Sequence, residues 1–169
     1  MNVLFVYPEI RTDIPDFSGY YAEGPAVLSA AARAAGHETE LLHITRPLTT
    51  REFAAELSRR SYDVLGFSSL SPVFNHVKRM ARAAKDVRDC PILYGGVHPT
   101  LDPEGSLQVE GIDIVCVGEG EGALLDVLGA LEEKRPVRGI ENIWIREDGR
   151  VRKTPLRGLV EDLDSLPFP

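Results

Sequence analysis

Apolar residues in this chain come in five short runs, separated by segments in which they recur every three or four positions. Val3–Tyr7 is β-branched and aromatic and is stopped by Pro8, so it predicts a buried strand. Glu38–Ile44, Asp63–Phe67, Pro91–Tyr94 and Asp113–Val117 predict four more. Between them, Pro25–Ala35 places Val27, Leu28 and Ala31 on one helical face, and Gly36 follows as a C-cap. Arg51–Arg60 carries Phe53, Ala54 and Leu57 at helical spacing behind an N-cap at Thr49 or Thr50. Pro72 opens a third helix whose apolar face is Val73, Val77, Met80, Ala81 and Ala84. A short helix runs from Asp102 through Val109, and Ala123–Glu132 forms the last.

Strands that alternate with helices in this way predict a parallel sheet covered on both faces. Right-handed crossovers leave few topologies, and five units fit the flavodoxin-like α/β fold with strand order 2-1-3-4-5. The end of the chain changes character. Ile140–Arg146 and Arg150–Lys153 flank Asp148-Gly149, a hairpin turn signal. The expected organisation is an α/β domain over residues 1–135, a β-hairpin appendage at the sheet edge over 136–157, and a linker over 158–169.

Composition narrows the function. The 169 residues are 43% hydrophobic and 27% charged, as in a soluble globular domain. The net charge of -7 opposes binding to a phosphate backbone, which disfavours nucleic acid as a partner. The apolar runs are far shorter than the roughly 20 residues a membrane helix needs, and the N-terminus does not read as a signal peptide, so a cytoplasmic location without membrane attachment is expected. The two cysteines, Cys90 and Cys116, form no C-x-x-C pair, and Cys116 reads as a small buried hydrophobe.

In an open parallel sheet, ligands bind beyond the carboxyl ends of the strands. Four ends stand out here: the long polar segment after strand one, Ser68–Ser71 after strand three, Gly95–Thr100 after strand four, and Gly118–Glu121 after strand five. In the expected order they form one rim. Glycine there lets a bulky flat ligand approach the backbone, and serine supplies small hydroxyls. Such a rim suits a large, planar, mostly uncharged ligand. Valine at Gly95 or Gly96 is expected to fill the space and leave the fold intact. The segment after strand one, Pro8-Glu9-Ile10-Arg11, lacks a dinucleotide-binding G-x-G-x-x-G, and no P-loop is present. Ser68 and Glu119 stand where a receiver domain would carry its aspartate and lysine. His98 on the rim either reaches a ligand or hydrogen-bonds the local backbone. Glu119 and Glu121 are either reactive carboxylates or acids favoured at a helix N-terminus.

At these residues the sequence resembles the cobalamin-binding domain at the N-terminus of cobalamin-dependent radical SAM enzymes. The likeness rests on Ser68-Ser69-Leu70, on Gly95-Gly96-Val97-His98-Pro99-Thr100, on Val117-Gly118-Glu119-Gly120-Glu121, and on the tail Leu163-Asp164-Ser165-Leu166-Pro167-Phe168-Pro169. It implies a cofactor site of Ser68, Ser69, Leu70, Ser71, Gly95, Gly96, Val97, His98, Gly118, Glu119 and Gly120, with the S-x-L and Gly-Gly motifs around the nucleotide tail of the corrinoid. The methionine-synthase type carries a histidine in D-x-H-x-x-G after strand one. Here Asp13-Ile14-Pro15-Asp16-Phe17-Ser18-Gly19 has none, which implies a base-off corrinoid without a histidine ligand, covered from below by a residue or water near Glu9–Tyr21. No C-x-x-x-C-x-x-C is present, so S-adenosylmethionine and a 4Fe-4S cluster would belong to a radical SAM domain of the same parent chain, which would supply the chemistry, with no catalytic residue expected in this part. Two other readings stay open. One is a flavodoxin-like transferase for a nucleotide-activated substrate, relying on Glu119 or Glu9. The other is a protein-interaction adaptor with an exposed apolar patch near Ile140–Ile145.

Overall fold

The computed structural model describes residues 1–169. Its sheet has seven strands in the order β2-β1-β3-β4-β5-β6-β7. Strands β1 (Asn2–Pro8), β2 (Glu38–Ile44), β3 (Val64–Ser68), β4 (Ile92–Gly95) and β5 (Ile114–Cys116) are parallel to one another. The flavodoxin-like order is the one expected. The hairpin of β6 (Ile143–Glu147) and β7 (Arg150–Arg152) joins the edge antiparallel, pairing Cys116 with Ile143 and Ile114 with Ile145. Its turn residues Asp148 and Gly149 both have positive φ, as a tight two-residue hairpin requires.

Alternation along each strand feeds two cores, one on each face. Leu4, Val6, Leu65, Phe67 and Tyr94 face α2 (Thr50–Ser58) and α3 (Phe74–Val87). Val3, Phe5, Val64, Leu93, Ile114 and Cys116 face α1 (Glu23–Ala34) and α6 (Glu121–Glu132). Because both faces are covered, the central strands are apolar at nearly every position. Local signals set the helix ends. Thr49 caps α2 in a reciprocal capping box with Glu52, and Gly36 turns the chain out of α1 with φ of 88°.

Three details depart from expectation. Pro72 lies in a single 3-10 turn, Ser71–Val73, and α3 proper starts at Phe74. Residues expected as open rim after β4 wind into a helix, α4 (Val97–Leu101), followed by α5 (Pro103–Leu107). Gly96, at φ 97°, makes the reversal that lets α4 start directly at the carboxyl end of β4. The anticipated apolar patch near Ile140–Ile145 is also absent from the surface. Pairing of β6 with β5 buries Ile143 and packs Ile140 and Ile145 against the core. The exposed large apolar side chains lie elsewhere, Tyr20, Tyr21, Leu70, Val97, Leu101 and Leu156 among them. No helix is long and apolar enough to cross a membrane.

Candidate cofactor site

A cleft of about 180 Å³ opens between the sheet and the α1–α6 layer. Its lining includes Phe5 of β1, Gly66 of β3, Leu93 of β4 and Cys116 of β5 from the sheet. Gly24 and Leu28 of α1 and Leu124 of α6 line it from the helical layer. Ser68, Gly95, Gly96, Gly118, Glu119 and Gly120 contribute from the strand ends and the loops that follow. Three parallel strands thus open their carboxyl ends onto one space.

Missing side chains keep the cleft open. A Cβ on Gly66 would stand 3.2 Å from the Phe5 ring, and one on Gly120 would stand 3.1 Å from Leu28. At Gly95 the nearest atom to such a Cβ is Cys116 Cβ at 3.7 Å, an ordinary contact, so a larger side chain there has room. Gly96 differs. At φ 97° its Cβ would meet Ser68 Oγ and the Ser69 backbone N–H at 2.9 Å and the Ser69 carbonyl at 3.0 Å. Valine at Gly96 therefore strains the fold itself, which corrects the expectation that both positions tolerate it.

The structure divides the expected site residues. Ser68, Gly95, Gly96, Gly118, Glu119 and Gly120 meet at the cleft. Ser69 does not line it. It is fully buried, its hydroxyl shares a 2.7 Å hydrogen bond with the Tyr94 hydroxyl, and its carbonyl accepts from His98 N–H. Ser71 Oγ lies 3.0 Å from His98 Nδ1, and the His98 ring packs 3.9 Å from Phe74. Burial holds His98 below the usual imidazole range, so the ring is neutral near pH 7, and its Nε2 is buried without a partner. Ser69, Ser71 and His98 thus brace the strand ends from the Tyr94–Phe74 side and lie outside the cleft lining. Leu70 and Val97 are half-exposed beside the rim and also lie outside that lining.

Sequence reasoning missed Phe5, Leu28, Gly66, Leu93, Cys116 and Leu124, because apolar lining residues look like core. Gly66 carried the one available signal, a glycine inside an otherwise bulky strand. Thr100 was also missed as a latch. Its hydroxyl donates to the Gly96 carbonyl at 2.9 Å and accepts from Gly118 N–H at 3.0 Å, which ties the β4 and β5 loops together.

The cleft surface is mainly apolar, with Ser68, Glu119 and Glu121, the last in the first turn of α6, as its polar side chains. Cys116 is buried, which pushes its thiol up to about 12, with the nearby Glu121 adding to the effect, so the sulfur stays protonated. Two carboxylates considered as reactive groups have structural partners. Glu9 accepts from Tyr20 N–H at 2.9 Å and lies 3.0 Å from His43 Nε2, while Glu119 accepts from Val160 N–H at 3.2 Å. The cleft lining contains no histidine. No group of three or more His, Cys, Asp or Glu side chains is placed to hold a metal ion.

Residues 21–128 match the profile of the B12 binding domain. The chain belongs to the B12-binding domain family. The matched stretch contains every cleft-lining residue except Phe5. Among proteins of similar sequence, an uncharacterized methyltransferase of Pyrococcus horikoshii is 27% identical over 174 residues, covering 100% of this chain and 38% of the relative. An anaerobic magnesium-protoporphyrin IX monomethyl ester cyclase of Rubrivivax gelatinosus is 26% identical over 177 residues, covering 98% of this chain and 32% of the relative. The chain therefore spans well under half of either protein. Among solved structures, the radical S-adenosylmethionine methyltransferase TsrM from Kitasatospora setae, with cobalamin and a [4Fe-4S] cluster bound, superposes with a TM-score of 0.76 at 21% identity. That match covers 98% of this chain and 31% of TsrM. The cobalamin-dependent S-adenosylmethionine radical enzyme OxsB with aqua-cobalamin bound also gives 0.76, at 19% identity, covering 94% and 22%. At such identities the two structures attest the shared B12-binding fold.

The glycine-lined cleft has room for one flat ring system. An apolar cavity of about 150 Å³ holds a benzene-sized guest, so 180 Å³ suits one flat aromatic base and excludes a whole macrocycle.

Proposed function

We propose that this chain is the cobalamin-binding module of a B12-dependent radical S-adenosylmethionine enzyme, a methyltransferase or a relative of one. The nucleotide tail of the corrinoid enters the cleft between Gly66, Gly95 and Gly120, and the corrin ring lies across the mouth. Residues 158–169 lead toward a radical SAM domain of the same parent, which would carry the S-adenosylmethionine and the 4Fe-4S cluster. The observation that carries this reading is the apolar cleft at the carboxyl ends of β3, β4 and β5, sized for a base and walled by glycine.

With its tail inserted in the domain, the cofactor is base-off. All four histidines have surroundings away from the cleft lining. His37 sits beside the N-terminus and Glu132, His43 contacts Glu9, His76 contacts Arg79 in α3, and His98 packs on Phe74. This supports a lower cobalt face without a histidine ligand. When bound, the corrinoid supplies a redox-active cobalt; the residues of this chain position it and shield its base from water.

Electron paramagnetic resonance of the bound cob(II)alamin tests the ligation. The expected spectrum lacks nitrogen superhyperfine splitting. Splitting from a coordinated nitrogen would overturn the histidine-free, base-off assignment.

A further inference from the structure

We propose that Asn142 is a positioning residue of the cobalamin site, and that the segment it holds, Thr154–Val160, forms the outer wall of the mouth. Asn142 is buried, with the left-handed φ of 68°. A buried non-glycine residue keeps that conformation only where its surroundings fix it, and asparagine tolerates it better than most. Four hydrogen bonds fix it here. Its carbonyl accepts from Val117 N–H at 2.8 Å, and its Nδ2 donates to the Glu119 carbonyl at 2.7 Å. Those two bonds clamp the residues on either side of Gly118. Its own N–H donates to the Pro155 carbonyl at 3.0 Å, and its Oδ1 accepts from Arg157 N–H at 2.7 Å. Those two clamp the C-terminal segment.

One side chain thus joins a glycine-rich loop of the cofactor site to a strand of chain that returns from the hairpin. The segment makes further contacts with that region. Val160 N–H donates to the Glu119 carboxylate, and the Arg157 guanidinium pairs with Asp126 of α6 and lies 3.6 Å from Glu141. The exposed side chain of Leu156 reaches within 4.0 Å of where a Cβ on Gly118 would stand. It presents an apolar edge beside the mouth. The tie continues inward, because Gly118 N–H donates to Thr100, which donates to the Gly96 carbonyl. A loop holding Gly118 and Gly120 has many accessible conformations when free. Asn142 removes that freedom before the ligand arrives, and a pre-organised site binds more tightly.

The inference rests on the cobalamin reading, and the test separates the two. Asn142→Asp keeps the acceptor for Arg157 N–H and tolerates the same backbone, but it replaces the donor to Glu119 with an acceptor. Equilibrium dialysis of hydroxocobalamin against the full chain is expected to show binding at least tenfold weaker in Asn142→Asp. Hydrogen exchange at Gly118–Gly120 should be faster without cobalamin present. Leu156→Ser, at an exposed position that leaves the clamp alone, is expected to weaken binding several-fold with exchange unchanged. A folded Asn142→Asp that binds within twofold of the unaltered chain overturns the positioning role. Should Asn142→Asp not fold, Leu156→Ser decides, and wild-type affinity there overturns the wall. Absence of binding by the unaltered chain overturns the cobalamin reading and the wall together, a result distinct from binding that survives every substitution.

Discussion

On the α1–α6 face of the sheet, β3 and β4 carry Gly66, Ser68, Leu93 and Gly95 toward the cleft. On the α2–α3 face, the neighbouring positions of the same strand ends carry Phe67, Ser69 and Tyr94 into a closed, hydrogen-bonded brace. Successive strand residues point to opposite faces. A contiguous motif such as Ser68-Ser69 is therefore split between two tasks. The open side is small and apolar, so that a ligand can complete it. The other side has bulky rings and a satisfied buried hydroxyl pair, and it keeps the rim in place while the cleft stands open.

Gly95→Val attacks the open side alone. Its side chain has room beside Cys116 but fills the cleft, so cobalamin binding should fall at least about 100-fold, nearly 3 kcal/mol. The unfolding midpoint should move little, which thermal melts without ligand would show. A large drop in the midpoint would mean that the cleft side also carries the fold.

Gly96→Ala sits on the boundary. With positive φ and the Ser69 backbone in the way, alanine should cost about 1–3 kcal/mol of stability. At about 2–4 °C per kcal/mol for a domain of this size, the melt resolves it. An unchanged midpoint would remove the distinction drawn between the two adjacent glycines.

Tyr94→Phe strikes the brace. It leaves the buried Ser69 hydroxyl without its partner, a loss of about 1–2 kcal/mol in stability. Cobalamin affinity of the folded fraction should stay within twofold. Adding Ser69→Ala should restore much of the stability, since both partners are then gone. Weaker binding in the stable double variant would place the brace in the site.

The smallest effect is alkaline. The Cys116 thiol is neutral in the folded chain and raised from 9.0 to about 12. Its stabilising contribution is complete below 9.0 and is lost as the pH climbs toward about 12. Near a pH of about 10 that loss is on the order of 1 kcal/mol, and Cys116→Ala should flatten this part of the pH–stability curve.

Much of this arrangement was legible in the residues. The five apolar runs and their punctuation gave the parallel sheet and its order, because both periods are physical consequences of burial. Ser68 and the glycines after β4 and β5 marked the end of the sheet where the cleft opens. What stayed hidden depends on which way a side chain faces. Ser69 and His98 read as rim residues, but strand alternation and the α4 helix turned them to the Tyr94–Phe74 side. Leu28, Cys116 and Leu124 read as core and are cleft wall. Asn142 gave no local cue, since its partners Val117, Glu119, Pro155 and Arg157 meet only after the hairpin has folded back.

The central claim is that the cleft holds the nucleotide tail. Comparing cobalamin with cobinamide, which has the same corrin ring but no nucleotide, isolates that contact. Equilibrium dialysis of the two against the unaltered chain should give cobalamin an affinity at least about 100-fold higher, with the difference collapsing in Gly95→Val. Equal affinity for the two corrinoids would contradict the account.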